Sequence, residues 1–246
     1  MQAHTAKPTL YAAWYCPFAQ RAWLSLAHKG VPFDYAEIDP YDKTEAWMTL
    51  SRGHGQVPVL LETAEDGGEV AVPDSLRVME YVDERFAGHG PALFPASPKG
   101  RAEARYWLDY IGRRVIPFLY RFLKAPAGSD AGAEARENFE RHLGALVDAM
   151  DADGPFFFGA EPGVVDFALA PFIIRVELIL SHYRGYRAPD AGPTWTRFAA
   201  WWAAASALPA VQQTSLGRPG YRERLVDFYV PYAAGAGQAD ITEVPT

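Results

Sequence analysis

The stretch Thr9-Leu10-Tyr11-Ala12-Ala13-Trp14-Tyr15-Cys16-Pro17-Phe18-Ala19-Gln20-Arg21 decides the fold. Thr9 to Ala13 is a short apolar run behind Pro8 and suits a buried strand. The residues after it predict a helix from Pro17 to Lys29. Proline at the first helical position needs no backbone donor, Phe18, Ala22 and Leu26 recur every four residues, and Gly30 supplies the stop. A second strand, Phe33 to Ile38, opens after the Gly30-Val31-Pro32 break. Strand, helix, strand at this spacing implies a parallel pair joined by a right-handed crossover.

Working outward, Val57 to Leu61 and Glu69 to Val72 are strand-like runs flanking Glu65-Asp66-Gly67-Gly68, whose glycines suit a tight reversal. Asp74 or Ser75 then caps a helix through Phe86 with Leu76, Met79 and Val82 as its buried stripe. The element order βαβ, a helical connection, then ββα makes residues 1–88 an α/β domain. Gly90-Pro91, Pro95 and Pro98 crowd a stretch without periodicity, so 89–98 is predicted to be a linker. Residues 99–246 read as all-helical: Lys99 to Lys124, Glu134 to Met150, Val164 to Ser181 and Thr194 to Ala207, then a short helix at Tyr221 to Tyr229 and a loose tail. The expected fold class is therefore α/β plus all-α.

The chain has 246 residues and a formal charge of −7, which argues against a nucleic-acid partner held by phosphate neutralisation. With 49% hydrophobic and 22% charged residues it falls among globular chains. Met1 to Pro8 shows no apolar run of a secretory signal, and Phe167 to Leu180 is too short for a membrane span and interrupted by Pro171, Arg175 and Glu177. A cytoplasmic protein without a membrane partner is expected. One cysteine excludes an internal disulfide framework and thiolate-rich zinc sites. The six histidines form no pair at metal-ligand spacing and no phosphate loop occurs, so neither a metal nor a nucleotide is expected.

That cysteine, Cys16, sits where the first strand hands over to the first helix. The N–H groups of a first helical turn lack internal partners and carry partial positive charge, which favours thiolate over thiol. Arg21, one turn along, adds a cation if it points back. The competing reading is a small buried hydrophobe, the common state of a lone cysteine. Position 19 is alanine, so Cys16-Pro17-Phe18-Ala19 is a monothiol counterpart of the dithiol redox motif. A mixed disulfide on Cys16 would have to be cleared by an external thiol, with glutathione the abundant candidate. Val57-Pro58 opens a strand in which proline removes a ladder donor, leaving Val57 to pair with an extended peptide backbone. Asp74-Ser75 at the next helix start offers hydroxyl, carboxylate and N–H groups that suit the α-amino acid end of a ligand.

These residues bring the chain to a family. Cys16-Pro17-Phe18-Ala19-Gln20-Arg21, Lys43 near Glu45, Gly55-Gln56-Val57-Pro58, Asp74-Ser75 with Glu80-Tyr81, and Asp166-Phe167-Ala168-Leu169-Ala170-Pro171 resemble the cytosolic glutathione transferases, and within them the omega class with its active-site cysteine. The resemblance implies a thioredoxin-like N-terminal domain that binds glutathione, an all-helical domain that supplies a second-substrate pocket, and a homodimer. It implies that Cys16 forms a mixed disulfide with glutathione beside Phe18. Lys43 would hold the glycine carboxylate, Val57 before a cis Pro58 the cysteinyl backbone, and Asp74-Ser75 the γ-glutamyl end. Tyr110 and Trp201 are the expected lining of the second pocket, which would take a hydrophobic or disulfide small molecule.

Three departures stand out. Gly163 replaces the usual hydroxyl residue three positions before Asp166, the loop Ser51-Arg52-Gly53-His54 runs one residue longer, and Asp74 is shorter than the common Glu. Tyr15, beside the thiol, is a second candidate for activating glutathione's sulfur. Of Trp107, Tyr110, Phe118, Tyr120 and Phe122, most are expected in the core. The activity so read is glutathione-dependent thiol transfer: deglutathionylation of mixed disulfides or small organic substrates, or dehydroascorbate reduction. The alternatives are a non-catalytic carrier of hydrophobic ligands, a conventional conjugating transferase, and a chloride-channel-type relative, against which Arg21, His28 and Lys29 speak.

Overall fold

The computed structural model describes residues 7–64 and 67–237. Glu65 and Asp66 of the expected reversal, the leading residues 1–6 and the final residues 238–246 lie outside them. Two compact units divide between Phe94 and Pro95.

The first unit contains β1 (Thr9–Ala12), α1 (Pro17–Lys29), β2 (Asp34–Glu37), α2 (Glu45–Leu50), β3 (Val59–Thr63), β4 (Glu69–Pro73) and α3 (Ser75–Arg85). The sheet order is β2-β1-β3-β4. β1 runs parallel to β2, with Leu10 opposite Tyr35, and antiparallel to β3, with Leu10 opposite Leu60. β3 and β4 are antiparallel. This is a thioredoxin-like domain with a mixed four-stranded sheet. Its core is Leu10, Ala12, Val59 and Leu60 from the strands, Ala22, Leu24 and Leu26 from α1, and Val78, Met79 and Val82 from α3.

Two details differ from the sequence reading. The third strand starts at Val59, two residues later than expected, because Pro58 has no N–H to give a ladder. In α3 the buried stripe is Ser75, Val78, Met79, Val82 and Asp83, with Val78 enclosed where Leu76 was expected. Asp83 explains the rest of that stripe. It lies 3.4 Å from the Lys29 ammonium and accepts Leu93 N–H at 2.7 Å and Phe94 N–H at 3.3 Å. Lys29 also donates to Pro91 O at 3.1 Å. Residues 90–94 are therefore fastened to α1 and α3 by a buried ion pair. Gly90, at φ +54°, passes so close that a Cβ would sit 2.7 Å from Lys29 O.

The second unit is helical: α4 (Pro98–Tyr110), α5 (Ile116–Lys124), α6 (Asp130–Asp148), α7 (Val164–Arg175), α8 (Ser181–Arg184), α9 (Pro193–Ala207), α10 (Pro209–Val211), α11 (Tyr221–Phe228) and α12 (Val230–Ala233). The expected single helix from Lys99 to Lys124 is interrupted by a π turn at Ile111–Val115, where Ile116 N–H reaches back five residues to Ile111 O. Pro117 just beyond it has no N–H for the carbonyl four residues earlier, so the ladder loses a regular bond there. π turns also follow α7 at Val176–Leu180 and α10 at Gln212–Leu216. α6 starts at Asp130, four residues before the expected Glu134, because Ser129 Oγ accepts Gly132 N–H at 3.1 Å and caps it.

Asp166, at 1% exposure, is the polar hub of this unit. Its Oδ2 accepts Gly163 N–H at 2.8 Å, and its Oδ1 accepts Phe157 N–H at 2.9 Å and Trp201 Nε1–H at 2.8 Å. Gly163, the N-cap of α7, has no side chain to return the bond, so only half of a capping box is formed. Its backbone is extended, at φ −132° and ψ −169°, a conformation any residue can adopt. Gly163→Ser is expected to stabilise the protein by about 0.5 kcal/mol or less, read as a higher denaturation midpoint. Among the described residues no helix is long and apolar enough to cross a membrane.

Candidate active site

Cys16 is the N-cap residue of α1, in extended conformation at φ −79° and ψ 119°. Its N–H donates to Ala13 O at 2.9 Å and its carbonyl accepts Gln20 N–H at 3.0 Å, which fixes the residue at the helix entrance. The thiol is half-buried and free of any disulfide. No acidic residue occupies the first turn of α1, and Pro17 is its first residue. The positive end of α1 therefore meets the sulfur without a competing carboxylate in that turn.

Arg21 is buried. Its guanidinium lies 5.3 Å from the Phe18 ring centroid, and Nη1 donates to Ser75 Oγ at 3.4 Å. It thus ties the helix that carries Cys16 to the start of α3. Ser75 is itself buried, while the neighbouring Asp74 is exposed. Asp74 Oδ1 accepts Leu76 N–H at 2.9 Å and Arg77 N–H at 3.1 Å, so its carboxylate caps α3. Its backbone sits at φ +74° and ψ 131°, a region costly for a residue with a Cβ.

The remaining candidates lie on the segment between β2 and β3. Val57-Pro58 is a cis peptide bond. Val57 is buried, and among the described residues neither its N–H nor its carbonyl has a hydrogen-bond partner. Lys43 is exposed, and its ammonium donates to Gly55 O. The sequence reading missed the residue that shapes this loop. Ser51, fully buried, donates through Oγ to Trp47 O at 2.7 Å and accepts Gly55 N–H at 2.8 Å. The longer loop is taken up by positive φ at Arg52, Gly53 and Gly55, and a Cβ on Gly55 would come within 2.9 Å of the Lys43 ammonium. Ser51→Ala is expected to cost about 1–2 kcal/mol through the orphaned Gly55 N–H, measurable by chemical denaturation. A serine ending a helix just before glycine-rich sequence is the signal that could have found it.

Tyr15 has its phenol pushed well above the usual range by burial first, then by Tyr41, Asp39, Cys16 and Glu37. It stays protonated at neutral pH, able to donate a hydrogen bond but not to act as a base.

In the second unit, Tyr110 is half-buried, its hydroxyl 2.8 Å from His142 Nδ1. Trp201, expected to line a pocket, has no exposed surface. Its indole is held by Asp166 and by Phe198 and Trp202, with ring centroids 6.0 and 5.9 Å away, so its role in this structure is packing. Of the other helix aromatics, Tyr120 and Phe122 are buried, and Trp107 and Phe118 are half-exposed.

A family model described as the glutathione S-transferase N-terminal domain matches residues 10–90, and one described as the C-terminal domain matches residues 129–208. The chain belongs to the glutathione transferase family. Among curated glutathione transferases it is 32% identical to glutathione S-transferase U16 of Arabidopsis thaliana over 172 residues, 68% of this chain and 71% of that one. Among solved structures, glutathione transferase Omega 3C from Trametes versicolor is 31% identical with a TM-score of 0.77, covering 92% of this chain and 90% of that one. Rice GST1, solved in complex with glutathione, is 27% identical with a TM-score of 0.76, covering 90% of this chain and 94% of that one. A mango transferase of the Tau class reaches the same TM-score of 0.77 at 25% identity, over 90% of this chain and 96% of that one. Structural likeness to omega and tau transferases is thus comparable, and the resemblance to the omega class alone is broadened accordingly.

Proposed function

We propose that this glutathione transferase is a thiol transferase of the omega type, in which Cys16 carries the glutathionyl group. The observation that supports this reading is the half-exposed Cys16 at the N-cap of α1, with alanine at position 19 and no second cysteine in the chain. The Cys16 thiolate attacks the glutathionyl sulfur of a mixed disulfide, the bond between the two substrate sulfurs breaks, and the released thiolate takes up a proton. The thiolate of a second glutathione then attacks the glutathionyl sulfur on Cys16, giving oxidised glutathione and returning the Cys16 thiolate. Glutathione would lie in extended form along Val57, with its glycine carboxylate toward Lys43 and its γ-glutamyl end at Asp74-Ser75. The unpaired backbone of Val57 and the strained backbone of Asp74 are consistent with groups reserved for a ligand.

Incubation with oxidised glutathione followed by mass spectrometry is expected to show one glutathione per chain, attached to Cys16. An unmodified chain at a pH where the thiolate is populated would refute the reading. Tyr15→Phe is expected to leave the pH–rate profile of thiol transfer unshifted, because a phenol held protonated contributes no titrating base.

A further inference from the structure

The loop that leads into the cis Val57-Pro58 bond is held from inside by Ser51, the residue that ends α2. Ser51 has no exposed surface. Its hydroxyl is used in both directions, donating to Trp47 O at 2.7 Å and accepting Gly55 N–H at 2.8 Å. Backbone bonds close the rest of the loop: Gly53 N–H donates to Met48 O at 2.7 Å and His54 N–H to Ser51 O at 3.1 Å. Gly55 is thereby fixed at φ +59°, and its carbonyl accepts the Lys43 ammonium. Met48 Sδ and the Lys43 ammonium crowd the glycine, at 2.8 and 2.9 Å from where a Cβ would stand.

Lysine is a flexible point charge with three donors on its ammonium. Holding one donor on Gly55 O restricts the side chain before any ligand arrives, so a carboxylate that meets the remaining donors costs less ordering entropy. Ser51 need not touch the ligand for this. The N–H that it holds and the carbonyl that holds Lys43 belong to one residue, Gly55, two positions before Val57.

We propose that Ser51 is a positioning residue that acts through Gly55 to hold the Lys43 ammonium ready for a carboxylate, and so makes the protein select glutathione over γ-glutamylcysteine, which lacks the glycine. The inference rests on the placement of the glycine carboxylate at Lys43 proposed above and does not involve the Cys16 sulfur.

Calorimetric titration with S-methylglutathione and S-methyl-γ-glutamylcysteine tests it, since neither thioether can form a disulfide with Cys16. The parent protein is expected to bind S-methylglutathione about tenfold or more tightly than the shorter ligand. Ser51→Ala narrows that preference to about threefold or less, whereas a merely structural loss weakens both ligands by the same factor. Gly55→Ala, which keeps the Ser51 hydroxyl but sets a methyl group against the Lys43 ammonium, narrows it as well. In a Lys43→Met background the preference is already lost, and Ser51→Ala changes it no further. Thermal melting verifies the fold of each variant, and Gly55→Ala decides the matter if Ser51→Ala melts below the assay temperature. A preference of parent size in Ser51→Ala, with Lys43→Met having abolished it, overturns the role of Ser51 alone. A parent protein that binds both ligands equally, or neither, overturns it together with the placement of the glycine carboxylate, and leaves the mass-spectrometric test of Cys16 untouched.

Discussion

Cys16→Ser is expected to lower thiol transfer activity by about a thousandfold or more while the melting temperature stays close to that of the parent protein. Serine is nearly isosteric, and the variant keeps the backbone bonds that Cys16 makes to Ala13 O and from Gln20 N–H. The chemistry does not survive the exchange. A thiol has a pKa of about 8.5 that a helix N-terminus lowers further, whereas a serine hydroxyl needs an adjacent base to become a nucleophile. Tyr15 cannot be that base, since its phenol is held protonated. The variant is also expected to gain conjugating activity, because glutathione's own sulfur becomes the nucleophile once no protein thiol competes for it. Rates with a glutathionylated peptide and with an electrophilic aromatic acceptor measure the two separately. Full thiol transfer in the variant would sink the proposed mechanism.

Asp166→Ala is expected to destabilise the helical unit by about 3–5 kcal/mol. The substitution strands three donors at once: Gly163 N–H, Phe157 N–H and the indole N–H of Trp201. Denaturant titration followed by tryptophan fluorescence would report it, and a loss under 1 kcal/mol would contradict the hub. Asp166→Asn isolates the charge. Burial pushes the carboxyl up from its ordinary value to about 6, against the opposing pull of its hydrogen bonds from Gly163, Trp201, Phe157 and its own backbone N–H. A folded-state pKa above the unfolded one means the folded protein binds that proton more tightly. The associated stabilisation is therefore complete below the unfolded value of about 3.8 and is lost as pH rises through about 6. The stability difference between the parent and Asp166→Asn should shrink by about 2–3 kcal/mol between those limits. A difference flat with pH would show that the carboxylate remains charged throughout.

The parallel strand pair and the helix that starts at Pro17 were legible because each rests on local chemistry: apolar spacing, proline without a donor, glycine as a stop. The same holds for Cys16, whose helix-entrance position follows from its neighbours in sequence. The loop at Ser51 was not legible, since its hydroxyl acts on a backbone N–H four residues away through a path that only the folded loop defines. For Arg21 the sequence left the direction of the side chain open, and the fold settles its partners: the guanidinium lies against Phe18 and donates to Ser75, fifty-four residues distant. Trp201 likewise carries no local mark that separates a pocket wall from a core residue.

The amino-acid sequence by itself determined that this protein has one thiol, that it stands at the first turn of a helix, and that no partner sulfur exists in the chain. Those facts are properties of order along the chain and need no third dimension. Only the tertiary structure decided which polar groups are buried together: Asp83 with Lys29 and residues 93–94, Asp166 with Trp201, and Arg21 with Ser75. The physical reason is that a buried polar group must find its partner wherever folding brings one, at whatever separation in sequence.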